Sequence, residues 1–93
     1  MMDRANASAT VGLDEWPLFR SAVVVALAQP NLADTDQAHT LLRLMEIGFL
    51  PGETICPVAH GSLGRDPVAV RVGRSTFALR RHEAALVRVE PAN

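Results

Sequence analysis

The order of apolar and polar positions along the chain changes its period once, near residue 50. Before that point, Leu41, Leu42 and Met45 recur at the three- and four-residue spacing that places side chains on one face of a helix. After that point, apolar and polar residues alternate, as they do in strands with one buried face. The inward row of one such strand is predicted at Val68, Val70 and Val72. The pattern therefore predicts an amphipathic helix followed by a sheet.

The ends of the helix are marked by local signals. Asp34 is the predicted N-cap, because Gln37 follows it at the spacing of a capping box. The helix should stop at Gly48, which is predicted at positive φ because glycine adopts that conformation without steric cost. Pro51 prevents the helix from resuming, and Gly52 suits a turn with positive φ.

The remaining pattern predicts a small sheet. A strand is predicted before the helix at 22–27, a loop at 60–66, a helical turn at 80–85, and further strands at 53–59, 67–72, 75–79 and 86–90. Pro57 lies inside one strand and indicates an edge or a bulge. Gly73 should open a tight hairpin turn. The expected fold class is mainly β with one helix between strands 1 and 2, in a small SH3-like barrel of about five strands.

Length and composition define one small domain. The 93 residues are 48% hydrophobic, which argues against disorder. Residues 1–12 are small and polar and are expected to form a disordered arm, and residues 13–93 to form the domain. Trp16 and Phe19 should cover one end of the core. No secretory signal or stretch of about 20 apolar residues is found, so a cytoplasmic location is expected.

Charge is unevenly distributed along the chain. The net charge is −1, yet six arginines face three acids from Arg65 onward. A nucleic-acid face is one interpretation of the cluster at Arg71, Arg74, Arg80 and Arg81. The favoured one is pairing with Asp66, Glu83 and Glu90, since the net charge of the chain is negative. On the helix, Arg43 is expected to pair with Glu46.

Catalytic and metal-binding signals are weak. The chain has no GxSxG, phosphate-loop or HExxH motif, and its single cysteine, Cys56, is expected to be a buried, inert thiol. We therefore expect neither an enzyme nor a cofactor. His60, His82 and Glu83 are weak candidates for a transition-metal site, because surface histidines more often bind metal adventitiously.

Two blocks of sequence resemble the ferrous iron transport protein A (FeoA) family. One is the helix end and turn at 44–52, and the other comprises Asp66-Pro67, 78–80 and Glu83-Ala84. The resemblance covers about residues 16–91. It implies an SH3-like barrel in the cytoplasm that docks non-covalently on the FeoB-type ferrous iron permease and meets the membrane only through that partner. The fold also resembles the C-terminal domain of iron-dependent repressors, so the alternative is a regulatory or nucleic-acid-binding module.

The expected contact surface is the helix end with a basic rim. Its predicted members are Leu44, Phe49, Leu50, Pro51, Arg74 and Arg80. One of Phe49 and Leu50 must turn inward to close the helix end. The larger Phe49 is expected inside, which leaves Leu50 near the surface. No nucleic acid is expected as a partner, and a homodimer is left open.

Overall fold

The computed structural model describes residues 10–29 and 33–92, which form one sheet with two helices. The strands are β1 (Val11–Gly12), β2 (Ala22–Leu27), β3 (Thr54–Leu63), β4 (Asp66–Val72), β5 (Ser75–Leu79) and β6 (Val87–Pro91). The helices are α1 (Thr35–Ile47) and α2 (Arg81–Ala84), and a 3₁₀ turn spans Leu13–Glu15. Most of the predicted N-terminal arm, residues 1–9, lies outside the described residues. Its end does not fit that prediction, because Val11 and Gly12 pair with β6.

The sheet is antiparallel throughout, in the order β1-β6-β2-β3-β4-β5. It does not close, so β1 and β5 are its two edges. The predicted class, mainly β with one main helix, is confirmed, with one strand more than the five expected. Because the extra strand comes first in the chain, α1 lies between the second and third strands.

The core lies between one side of the sheet and α1. Alternating side chains of the strands supply most of it, including the predicted Val68 and Val70, with Val72 packed at its margin. Leu44 and Phe49 enter from the helix side and are fully buried. Burying a side chain of this size removes apolar surface from water and contributes about 1.5–3 kcal/mol.

The side chain of Trp16 contacts the core, whereas that of Phe19 does not. Trp16 packs against the core, and its Nε1 donates a hydrogen bond to the carbonyl of Arg20 at 2.8 Å. Phe19 was expected beside it, but its side chain is 75% exposed. The backbone of Phe19 has φ 64°, and its N–H donates to the carbonyl of Pro57 at 2.7 Å. This left-handed conformation and its backbone bond direct the side chain away from the core.

The β3–β4 hairpin replaces the loop predicted at 60–66. β3 continues to Leu63, and the turn is made by Gly64 and Arg65, both at positive φ. The predicted bulge is confirmed, because the register shifts between Pro57 and Ala59. Gly61 is required within the hairpin, since a Cβ there would collide with the carbonyl group of Asp66.

Candidate partner-docking surface

The helix stop is built around Gly48, as the sequence predicts. Its φ is 122°, and its N–H donates to the carbonyls of Leu44 and Met45 at 3.2 and 3.1 Å. The N–H of Phe49 donates to the carbonyl of Leu44 at 3.0 Å. These bonds satisfy carbonyl groups that the end of a helix otherwise leaves unpaired. The positive φ predicted at Gly52 is also confirmed, and Gly73 lies in its predicted hairpin turn with φ 63°.

Two predicted members of the contact surface lie inside the molecule. Leu44 and Phe49 are both fully buried, so neither offers side-chain surface to a partner. For Leu44 this is a correction. The helix packs on the core through Leu41 and Leu44, not through the face that includes Leu42 and Met45. For Phe49 the inward position agrees with its expected role of closing the helix end.

Apolar side chains nevertheless remain exposed around the helix stop. Leu50 is 43% exposed, and the adjacent Pro51 is also exposed. Leu42 and Met45, which share the outer face of α1, are 53% and 46% exposed. The sequence placed both on one face of the amphipathic helix, together with Leu41. One feature of the sequence could have indicated the buried face. Leu41 and Leu44 have the same helical spacing as Leu42 and Met45, and only one of the two pairs can face the core.

The basic rim divides between the two ends of β5. Arg74 lies in the β4–β5 turn, two residues after Val72, the last residue of β4. Val72 is close to the helix stop, because a Cβ on Gly48 would be 3.4 Å from one of its methyl groups. Arg80 lies beyond the other end of β5, with its guanidinium 3.9 Å from the Asp66 carboxylate. Of the two arginines, Arg74 is therefore the one whose strand end lies near Gly48.

Glu83 bonds to groups on two elements. Its carboxylate accepts a hydrogen bond from Arg43 at 2.6 Å and another from the backbone N–H of Arg80 at 2.9 Å. Burial alone would raise the pKa of Glu83, but the bonds from Arg43 and Arg80 and the charges of Arg43 and His82 hold that pKa below its usual value. Arg43 thus pairs across to α2 instead of with Glu46.

The candidate metal ligands are not brought together. His60 lines a cleft with Trp16, whereas His82 lines a different one with Asp36. Glu83 is already bonded to Arg43. Within residues 10–29 and 33–92, no three His, Cys, Asp or Glu side chains are placed to hold a metal ion. His60, His82 and Glu83 therefore do not form one site in this arrangement.

Cys56 is half-buried, not fully buried as expected. It lines a cleft of about 330 Å³ together with Arg71, and its Sγ lies 3.6 Å from the carbonyl oxygen of Pro57. No His, Asp or Glu lines that cleft. A thiol nucleophile needs a neighbouring base, which this cleft does not supply.

The fold defines a small SH3-like domain with exposed apolar side chains at the helix end. None of the helices in the described parts of the chain has the length and apolar character needed to cross a bilayer. The FeoA domain profile matches residues 11–91, and the chain belongs to the FeoA family. The search of curated protein sequences gave no match.

Solved structures agree with the family assignment. The chain is 40% identical to FeoA of Stenotrophomonas maltophilia, over 85% of this chain and 88% of that one, with a TM-score of 0.71. That protein was solved with zinc and is described as an SH3-domain protein and candidate activating factor of bacterial ferrous iron transport.

Two further structures extend the comparison. Iron(II) transport protein A of Clostridium thermocellum is 30% identical over 87% of this chain and 45% of that chain, with a TM-score of 0.71. A manganese-dependent transcriptional repressor shares the fold, with a TM-score of 0.72 and 15% identity, over 90% of this chain and 42% of the repressor. The SH3-like fold thus occurs in transport-associated proteins and in a repressor.

Proposed function

We propose that this protein is a cytoplasmic accessory protein of ferrous iron uptake that regulates an FeoB-type membrane permease by non-covalent docking. Membership of the FeoA family supports a role in ferrous iron transport. The observation that carries the docking surface is the exposure of Leu50 directly after the helix stop, while the neighbouring Phe49 is fully buried. The protein would contact the membrane only through this partner.

The proposed surface has an apolar centre and a charged margin. Leu50 and Pro51 form the centre, extended along α1 by Met45 and Leu42, and Arg74 lies at the margin. Protein interfaces commonly combine a few desolvated apolar anchors with a polar rim. Arg80 belongs to a more distant part of the rim, where Asp66 partly neutralises it.

The proposed mechanism requires neither catalysis nor a bound cofactor. The cleft lined by Cys56 has no His, Asp or Glu beside the thiol, and the two candidate histidines line separate clefts. Docking would act by favouring one conformation of the permease, which requires that the accessory protein bind that conformation more tightly.

Co-purification with the permease from its own cells tests the proposal. The tagged protein is recovered from detergent-solubilised membranes with and without added guanine nucleotide. We expect the permease in the eluate, at a level that depends on nucleotide if the docking is regulatory. Recovery of no permease under either condition would contradict the proposal.

The alternative, a nucleic-acid-binding regulatory module, has one supporting observation, the shared fold of a transcriptional repressor. Its arginine cluster is partly neutralised, because Arg80 lies 3.9 Å from Asp66 and Arg81 lies 3.9 Å from Asp14. A salt titration separates the two functions. Binding to nucleic acid should be measurable and should fall steeply with salt only if the alternative holds.

A further inference from the structure

The β5 strand leaves one side of the sheet open. It pairs with β4 along its whole length, from Ser75 opposite Val72 to Leu79 opposite Val68, and no strand in the described residues pairs with its other side. Natural proteins usually protect an edge with charges, a proline or a bulge. The five residues of β5 have none of these, and their register with β4 is unbroken. Their free backbone groups can therefore receive another strand.

The outer face beside this edge can accept a side chain. Ala59, Ala69 and Ala78 lie in a row across β3, β4 and β5. With Pro67 they line a shallow apolar depression of about 190 Å³. On a strand added to β5, the residue opposite Ala78 would continue this row, since directly opposed side chains lie on the same face. A large apolar side chain at that position would cover the small alanines.

Both ends of the edge are positively charged. Arg74 precedes β5 and makes no ion pair with any described residue, and Arg80 follows the strand. The Arg80 guanidinium is mostly exposed, at 3.9 Å from the carboxylate of Asp66. An uncharged strand between two arginines favours an occupant with an acidic residue at each end.

The same charges disfavour a second copy of this chain. Antiparallel pairing of two β5 strands about Phe77 would place Arg74 of each copy opposite Arg80 of the other. Like charges directly opposite each other destabilise a pair of strands. The free edge is therefore better suited to a different, acidic chain than to self-association.

We propose that the β5 edge binds an extended segment of a partner protein in antiparallel register, with an acidic residue at each end and a large apolar residue opposite Ala78. Backbone hydrogen bonds would supply much of the affinity. The alanine depression and the two arginines would supply the specificity. The inference does not depend on the permease, because it uses the backbone of β5 instead of the apolar side chains at the helix end. Its failure would leave the co-purification result unaffected.

A synthetic peptide tests this proposal on the whole protein. The peptide has glutamate at both ends, leucine at the third of seven positions and threonine or valine elsewhere. It should bind, as measured by fluorescence anisotropy, and should slow hydrogen exchange of the β5 amides. N-methylation of the peptide amides that face β5 should weaken binding about tenfold or more, because it removes backbone donors. Equal binding by the methylated peptide, or no binding by either, would overturn the proposal.

Charge reversal gives a matched comparison. The double variant Arg74→Glu, Arg80→Glu should prefer a peptide with lysine at both ends over the glutamate-ended one, reversing the preference of the wild-type protein. Arg65→Glu, at the tip of the β3–β4 hairpin, should keep the wild-type preference. Circular dichroism first confirms that each variant is folded. Protection of β5 amides that rises with concentration of the protein alone would show a second copy at the edge and overturn the proposal.

Discussion

Gly48 shows how one residue fixes the end of α1. The requirement comes from backbone conformation, because φ is 122°. Space is not the limit, since a Cβ there would lie 3.4 Å from the nearest atom of Val72, an ordinary contact distance. The local sequence was sufficient to predict this position, because helix stops depend on residues adjacent in the chain.

Substitution of Gly48 should therefore be costly even for a small side chain. We expect Gly48→Ala and Gly48→Val each to lower the free energy of unfolding by about 1–3 kcal/mol, because an L-residue is strained at this φ. Thermal and urea melts measure the effect. A melt of either variant that matches the wild type would show that the helix does not stop in this way.

At the scale of elements, Arg43 and Glu83 link the long helix α1 to the short helix α2. The two residues are 40 positions apart, and their side chains meet at 2.6 Å. The sequence suggested Arg43 and Glu46, because only local spacing is visible before the chain is folded. The spacing of Leu41, Leu42 and Met45 did not identify the buried face of α1, for a similar reason. Leu41 with Leu44 and Leu42 with Met45 have the same spacing, and only packing distinguishes the pairs.

The link between α1 and α2 should depend on pH. The folded-state pKa of Glu83 lies below its usual value of 4.5. The contribution of the charged Glu83 to the free energy of unfolding is therefore complete above pH 4.5, and it is lost as the pH falls through the lowered pKa. We expect Glu83→Gln to destabilise the protein by about 0.5–1 kcal/mol at neutral pH, as for a partly exposed ion pair.

The control for this experiment is Glu46→Gln, on the same helix as Arg43. Melting temperatures of both variants and of the wild type are compared between neutral and acidic pH. The difference between wild type and Glu83→Gln should narrow towards low pH, whereas Glu46→Gln should resemble the wild type throughout. A larger effect at Glu46 would show that Arg43 pairs within its own helix.

At the scale of the whole molecule, the sequence was sufficient to predict the class of fold but not the edge strands of the sheet. Alternating valines located β4 and its inward face, because the period of a strand is local. The pairing of Val11 and Gly12 with β6 depends on residues at opposite ends of the chain and carries no local signal. The proposed docking surface was likewise only partly predictable from local sequence. The outward turn of Leu50 followed from the helix stop, whereas the burial of Leu44 depended on which face of α1 packs.

Metal should not contribute to the stability of this fold. The candidates His60 and His82 line different clefts, so a chelator should leave the melting temperature unchanged, and so should His60→Ala and His82→Ala. A ligand that stabilises the native state must raise the melting temperature by mass action. A chelator-induced drop that either histidine substitution abolishes would contradict this expectation.

The central claim is that the exposed helix end binds the permease, and affinity measurements on two leucine variants test it most directly. Leu50→Asp should remain folded and weaken binding to the purified permease by more than about 1 kcal/mol, the usual loss for an interface anchor. The matched control is Leu63→Asp, because Leu63 is 85% exposed at the far end of β3.

Leu63→Asp should bind like the wild type, and Arg74→Ala should act mainly on association rate and salt dependence, as rim charges do. Circular dichroism of each variant precedes the binding measurement. The account predicts a loss of affinity for Leu50→Asp alone among the two leucine variants. Wild-type affinity for Leu50→Asp, together with lost binding for Arg74→Ala, would place the anchor on the β4–β5 hairpin and contradict the account.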